Sequence, residues 1–164
     1  MNTLVHQYTV SPEAVGELLT GAGEFLTPQE LLGDLTEAQA MAAPAGSLYS
    51  IGRIVAHMQF WQERGSARAQ GQKPARPEHL DDTFPVLQAG EWDDLRASFL
   101  AGLELCAQAA AEHGTKTSAD RAGSDIAYDL AQCPALHNAY HFGQVALLRQ
   151  IQGFWPPAGG DGSW

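Results

Sequence analysis

The segment PALHNAYHFGQVALLRQIQ, residues 134–152, decides the fold. Its apolar residues recur at spacings of three and four, which is the pattern of an amphipathic helix with one face turned to a core. Gly153 follows directly and is a typical helix terminator. Pro134 is compatible with the first turn of this helix, or with a kink in a longer helix that begins near Ser124. The sequence therefore predicts a long final helix that buries one face.

Three further helices are predicted upstream from capping residues and apolar spacing. They run from Ser11 to about Gly23, from Ser47 or Ser50 to about Ala69, and from Glu91 to His113. Between the first two, Thr27 and Thr36 each precede a Glu or Gln by three residues. This is the spacing of a capping box and predicts one or two short helical turns.

The rest of the chain supplies connections. Residues 71–90 contain three prolines and two glycines, which predicts a long connection that could cover a pocket mouth. Only residues 3–5 and 84–86 are compatible with short extended segments. Four helical segments in a chain of this size predict an all-α four-helix bundle, and the length of 164 residues predicts a single domain over residues 1–164.

The composition excludes several classes of protein. Hydrophobic residues make up 45% of the chain and charged residues 17%, which excludes a disordered tail. The net charge of −10 disfavours nucleic acid and anionic membrane surfaces as partners. The N-terminus does not have the pattern of a signal peptide, no stretch is long enough to span a membrane, and two cysteines do not make a disulfide scaffold. We therefore expect a soluble cytoplasmic protein.

The histidines carry the chemical signal. His137 and His141 are four residues apart, so both project from one face of the final helix and can reach the same ion. His57 lies between Ile54 and Trp61 on the second helix and should also point inward. The remaining histidines, at the termini or helix ends, are expected to be exposed: His6, His79 and His113.

Two interpretations of the inward histidines stay open. They are either hydrogen-bonded core residues or the three ligands of a divalent ion with open positions for water or substrate. Imidazole ligands suit Zn, Ni, Fe or Cu, and the sequence does not choose between them. The residue after His137 is Asn138, which excludes a zincin metalloprotease because that motif requires Glu there.

Two signatures in the chain resemble those of the DinB-like superfamily. They are SIGRIVAH at residues 50–57 and HNAYHFGQ at residues 137–144, with LLR at 147–149. The closing WPPAGG at residues 155–160 is also similar to tails in that group. The order and separation of these matches fit nearly the whole chain.

The resemblance implies an up-down-down-up four-helix bundle, frequently a homodimer, with nickel or zinc on a three-histidine triad. Carried over by position, the ligands are His57, His137 and His141. Relatives include S-transferases and isomerases that use low-molecular-weight thiols such as bacillithiol or mycothiol. The resemblance therefore favours a metal-dependent, thiol-dependent S-transferase or hydrolase with a thiol as co-substrate. The alternative is a non-catalytic stress-response bundle that binds a metal or ligand.

Other polar residues are secondary candidates, and the catalytic residues stay unassigned. Gln144 either orients a ligand or metal-bound water, or caps a polar patch between helices. Cys133 lies four residues before His137, where packing is favoured over a metal or redox role. Arg53 and Arg149 are expected on solvated faces, with substrate carboxylates as the alternative. Asn138 and Tyr140 are weaker candidates for a role at the site. The pairs Asp81–Asp82 and Asp93–Asp94 are most simply a loop surface and the first turn of a helix.

Overall fold

A computed structural model describes residues 11–21, 25–113 and 133–160. Its helices are α1 (Pro12–Thr20), α2 (Pro28–Gly33), α3 (Glu37–Met41), α4 (Ile51–Ala69), α5 (Trp92–His113) and α6 (Cys133–Gln152), with a 3₁₀ turn at Leu80–Thr83. Within these ranges there is no strand, so the all-α prediction is confirmed. Residues 84–86 are irregular rather than extended strand, while residues 3–5 and Ser124 lie outside the described residues.

The predicted caps begin the first three helices. The Ser11 hydroxyl accepts a hydrogen bond from the Ala14 amide at 3.1 Å, and proline follows it at the first helical position. Thr27 and Thr36 each form a complete capping box, with Glu30 and Gln39 respectively. Each of these bonds satisfies an amide that the helix leaves unpaired at its first turn. The predicted helical turns between the first two long segments are therefore α2 and α3.

Helix α1 ends earlier than the predicted Gly23. It ends at Thr20, because Gly21 takes a left-handed conformation with φ of 73°. A Cβ at this position would lie 2.6 Å from Thr27 Cα, so the chain approaches α2 too closely for any larger residue. Gly21 therefore sets the turn between α1 and α2.

Four of the helices pack around the core. Helices α1 and α4 each contact both α5 and α6. The short helix α2 packs against α5 and α6, and the short helix α3 packs against α4 and α5. The largest fully buried side chains are Trp92, Arg149, Phe99, Leu19, Leu32, Ile51 and Met58. Among the described residues, no helix is both long enough and apolar enough to cross a bilayer. The pair that positions the site is α4 and α6.

Arg149 is buried, contrary to the expectation that it lies on a solvated face. Only 1% of it is exposed, and its guanidinium binds both carboxylate oxygens of Asp34, at 2.7 and 3.0 Å. It also donates to the carbonyl oxygens of Leu31 and Phe154. These bonds join α6 to the end of α2 and to the C-terminal tail, so Arg149 is a structural residue.

Candidate metal centre

The structure brings the three predicted histidines together. His57 projects from α4, and His137 and His141 project from adjacent turns of α6. The Nε2 atom of His137 lies 3.1 Å from that of His57 and 3.2 Å from that of His141. One ligand atom from each ring lies within 4.8 Å of the other two. Two imidazole nitrogens on one tetrahedral zinc ion stand about 3.3 Å apart, so this spacing suits a shared ion.

The helix packing explains this convergence. Ser50 caps α4 by accepting a bond from the Arg53 amide, which sets the helix start and thereby the face on which His57 lies. His57 is 4% exposed and His141 is 6% exposed, while His137 is partly buried. The rings therefore meet where α4 and α6 pack against each other, and bulk water has little access to them.

The partner of each Nδ1 atom decides the tautomer of each ring. The contacts run from His57 to the Thr83 carbonyl at 2.8 Å, from His141 to Gln144 Oε1 at 2.6 Å and from His137 to Asn138 Oδ1 at 3.3 Å. Because a carbonyl or amide oxygen only accepts, each Nδ1 carries the hydrogen. The Nε2 atoms therefore face one another as three lone pairs. Such an arrangement could hold a cation between the rings, since neutral rings in these tautomers cannot hydrogen-bond to one another.

The surroundings keep all three rings neutral. Burial lowers the pKa of each histidine below its ordinary value, because desolvation penalises the charged ring. For His137, burial and then the nearby His141 lower the pKa to about 4. Neutral imidazole is the form that binds a metal, so the site is ready to bind one without first losing protons at pH 7.

An aromatic stack supports His57 from the side of the long connection. The His57 ring lies parallel to the Phe84 ring at 3.8 Å, and Phe84 lies parallel to Tyr49 at 4.0 Å. The Tyr49 hydroxyl donates to Asp81, and the Arg53 guanidinium donates to the Phe84 carbonyl. Arg53 therefore fixes the connection against α4.

Sequence reasoning missed Thr83, Phe84 and Tyr49 as supports of the site. Thr83 contributes its backbone carbonyl, which every residue type has, so no residue pattern points to it. Phe84 and Tyr49 lie in stretches rich in proline, glycine and serine, where no periodicity shows which side chains turn inward. The clustering of three prolines in the connection was the only available signal, and it indicated a pocket cover without naming the residues.

Beside the histidines lies a cavity of about 670 Å³, whose wall includes His57, His141, Gln144 and Tyr140. The Gln144 amide donates to the Tyr140 hydroxyl at 3.4 Å while its oxygen accepts from His141. Gln144 therefore links His141, a candidate metal ligand, to Tyr140 by hydrogen bonds. Leu80 and Phe84 also line this cavity, so the long connection forms part of its wall.

The other described candidate residues are not part of the three-histidine group. His79 is exposed, as predicted, and Asp81 and Asp82 are exposed in the 3₁₀ turn. Asp93 and Asp94 are exposed in the first turn of α5. His6 and the side chains of His113 and Cys133 lie outside what the structure describes. Cys106 is buried, and this burial raises the pKa of its thiol to about 12.

The fold and the site define a class: helical proteins with a candidate metal centre of three imidazoles between packed helices. The sequence profile of the DinB superfamily matches residues 29–145, which include all three histidines. The chain belongs to the DinB superfamily. Comparison with curated proteins and with solved structures gives no significant match.

Proposed function

We propose that this protein is a divalent-metal-dependent enzyme, either a thiol-dependent S-transferase or a hydrolase. His57, His137 and His141 would hold one nickel or zinc ion through their Nε2 atoms. The observation that carries the proposal is the convergence of three Nε2 lone pairs whose rings are each fixed through Nδ1. Carbonyl or carboxylate oxygens commonly take this Nδ1 position behind metal-binding histidines.

The donor set fits the ion and leaves room for a substrate. Three neutral imidazoles suit zinc or nickel, and three protein ligands leave at least one coordination position open, as in catalytic sites. A bound ion of this kind acts as a Lewis acid and lowers the pKa of a coordinating thiol or water. The low-molecular-weight thiol is proposed as co-substrate on the basis of the superfamily alone.

The chain's own residues would position the reactants. The Thr83 carbonyl and the Phe84 ring hold His57, and Gln144 holds His141 and the Tyr140 hydroxyl in one hydrogen-bonded row. The His57 and His141 rings are buried except where they line the cavity, so substrate would approach them from the cavity. We further propose that residues 1–164 form one up-down-down-up bundle domain that assembles as a homodimer. The contacts of α1 and α4 with both α5 and α6 support a four-helix bundle, and the helix directions and the homodimer are proposed on the basis of the superfamily alone.

A second candidate function is a non-catalytic stress-response protein that binds a metal or ligand at the same residues. The described residues that line the cavity are apolar or uncharged apart from the histidines, so they offer no carboxylate or amine as a general acid or base. A turnover assay with a panel of thiols separates the S-transferase from the non-catalytic protein, since only the transferase consumes them.

The first experiment is elemental analysis of purified protein dialysed without chelator. We expect about one transition metal ion per chain in the wild type, and loss of that metal in His57→Ala and His137→Ala. His79→Ala is the matched control, because His79 is exposed and is not one of the three clustered histidines. A wild type that binds no metal even after incubation with nickel or zinc contradicts the proposal, and so does full occupancy in both variants.

A further inference from the structure

We propose that the cavity beside the histidines binds the uncharged, apolar part of an amphipathic substrate whose polar, reactive end faces the histidines. The inference rests on the proposed function and extends it to a substrate class. Five large side chains that are more than half exposed carry the argument, because they surround a single cavity.

The exposure of these side chains is the first step. Leu48, Leu80 and Tyr140 are 84%, 70% and 67% exposed, and Leu147 and Ile151 are 54% and 59% exposed. They come from the loop before α4, the 3₁₀ turn and α6, yet all line the same cavity. Single exposed apolar residues are ordinary, but a contiguous group of this kind around a concavity marks a binding surface.

The position of the group indicates a small molecule. The buried His57 and His141 lie on the wall of this cavity, whereas the rim residue Leu48 is almost fully exposed. A volume of about 670 Å³ lies within the range of small-molecule sites. A protein partner or a second copy seated on the same rim would close the access to the histidines, which the proposed reaction requires.

The chemistry of the wall selects the charge of the ligand. Apart from the histidines, the described lining is apolar or carries uncharged polar groups, such as Ser47, Gln144 and Tyr140. The Ser47 hydroxyl donates to the Tyr49 carbonyl and the Tyr49 hydroxyl donates to Asp81, whereas Gln144 and Tyr140 form a hydrogen-bonded row with His141. The net charge of −10 also disfavours an anionic body. A neutral aliphatic or aromatic group fits this wall, with a single polar end toward the histidines.

The test uses the full chain with its metal content measured on the same sample. The neutral fluorescent probe N-phenyl-1-naphthylamine is titrated into the protein and then displaced by 1-butanol, 1-hexanol and 1-octanol. We expect displacement to strengthen by about two- to fourfold for each methylene, since each adds buried apolar surface. Octanoate should displace the probe more weakly than 1-octanol from chelator-treated protein, where no cation attracts the carboxylate.

Leu147→Gln places an amide in the wall and should weaken probe binding at least fivefold. Leu136→Gln is the matched control: Leu136 is on the same helix, is 56% exposed and lies outside the cavity lining, so binding should change less than twofold. Equal weakening by both variants overturns the inference, as does displacement that is independent of chain length. If the wild type is a dimer that does not bind the probe, and Leu147→Gln makes it dissociate, the surface binds a second copy of the chain and the inference is overturned.

Because the probe needs no metal, the two proposals fail separately. Protein that lacks metal but binds the alkanols refutes the metal site and leaves the apolar cavity in place. Protein that holds one metal ion but shows no dependence on chain length refutes the apolar substrate and leaves the metal site in place.

Discussion

At the scale of single residues, the hydrogen-bond partner of Nδ1 in each histidine determines whether Nε2 carries a hydrogen or a free lone pair. The Thr83 carbonyl fixes His57 firmly, because a backbone oxygen in a buried turn can only accept. Gln144 does the same for His141 through a side chain, which makes this contact accessible to mutation. We therefore predict that Gln144 affects the metal affinity of the proposed site through His141.

Gln144→Leu removes the acceptor of the His141 Nδ1 hydrogen and should weaken metal binding by about 10- to 100-fold. Gln144→Glu keeps an oxygen at this place and should bind at least as tightly as the wild type. Affinity is measured by competition with a chelating dye, and circular dichroism checks that both variants keep the fold. Equal weakening in the two variants would show that Gln144 acts through packing rather than through its oxygen.

The limits of sequence reasoning at this site have a simple cause. His137 and His141 could be paired from their spacing, because one helix places residues four apart on one face. His57 could be added only because it lies among apolar residues on another helix. Thr83 is 26 residues from His57, and its contribution is a backbone carbonyl, so only the folded path of the connection reveals it.

At the scale of elements, the interactions that begin the short helices could be predicted, whereas the contact between Arg149 and Asp34 could not. The capping boxes of α2 and α3 involve residues three apart, so the sequence contains the whole interaction. Arg149 and Asp34 are 115 residues apart, and an arginine on an amphipathic helix is normally solvated. In the fold, the end of α2 and the C-terminal tail both lie against α6. The Arg149 guanidinium therefore faces inward and binds to them.

Asp34→Asn should lower the free energy of unfolding by about 2–3 kcal/mol, because it leaves the Arg149 charge buried without a counter-ion. The Arg149 bonds also hold the pKa of Asp34 below its ordinary value. Asp93→Asn is the matched control, since Asp93 pairs with Arg96 at the surface and is 79% exposed. It should cost less than about 1 kcal/mol. Chemical unfolding measures both, and equal costs would show that the Asp34 pair contributes no more than a surface pair.

At the scale of the whole molecule, the candidate site adjoins the hydrophobic core. The three rings lie between α4 and α6, which both belong to the set of helices that encloses the core. Placing neutral imidazoles there lowers the pKa of each, so the folded metal-free protein resists protonation that the unfolded chain accepts. Folding stability and metal binding therefore depend on the same protons.

Chelator-treated wild type should lose stability as the pH falls from 7 to 5. The unfolded histidines take up protons near their ordinary pKa of 6.5, while His137 in the folded protein resists until about pH 4. Acid therefore favours the unfolded state throughout this window, by about 1–3 kcal/mol in total. Asp34 does not contribute here, because its stabilisation is lost only below its ordinary value of 3.8.

Urea unfolding at pH 5, 6 and 7 measures this loss, and His137→Leu supplies the comparison because it removes one of the resisting rings. The variant should show a shallower dependence on pH than the wild type, whatever its absolute stability. His79→Leu, at an exposed position, should follow the wild-type slope. Parallel curves for wild type and His137→Leu would mean that His137 titrates alike in the folded and unfolded chains, and burial would then not hold this ring neutral for a metal.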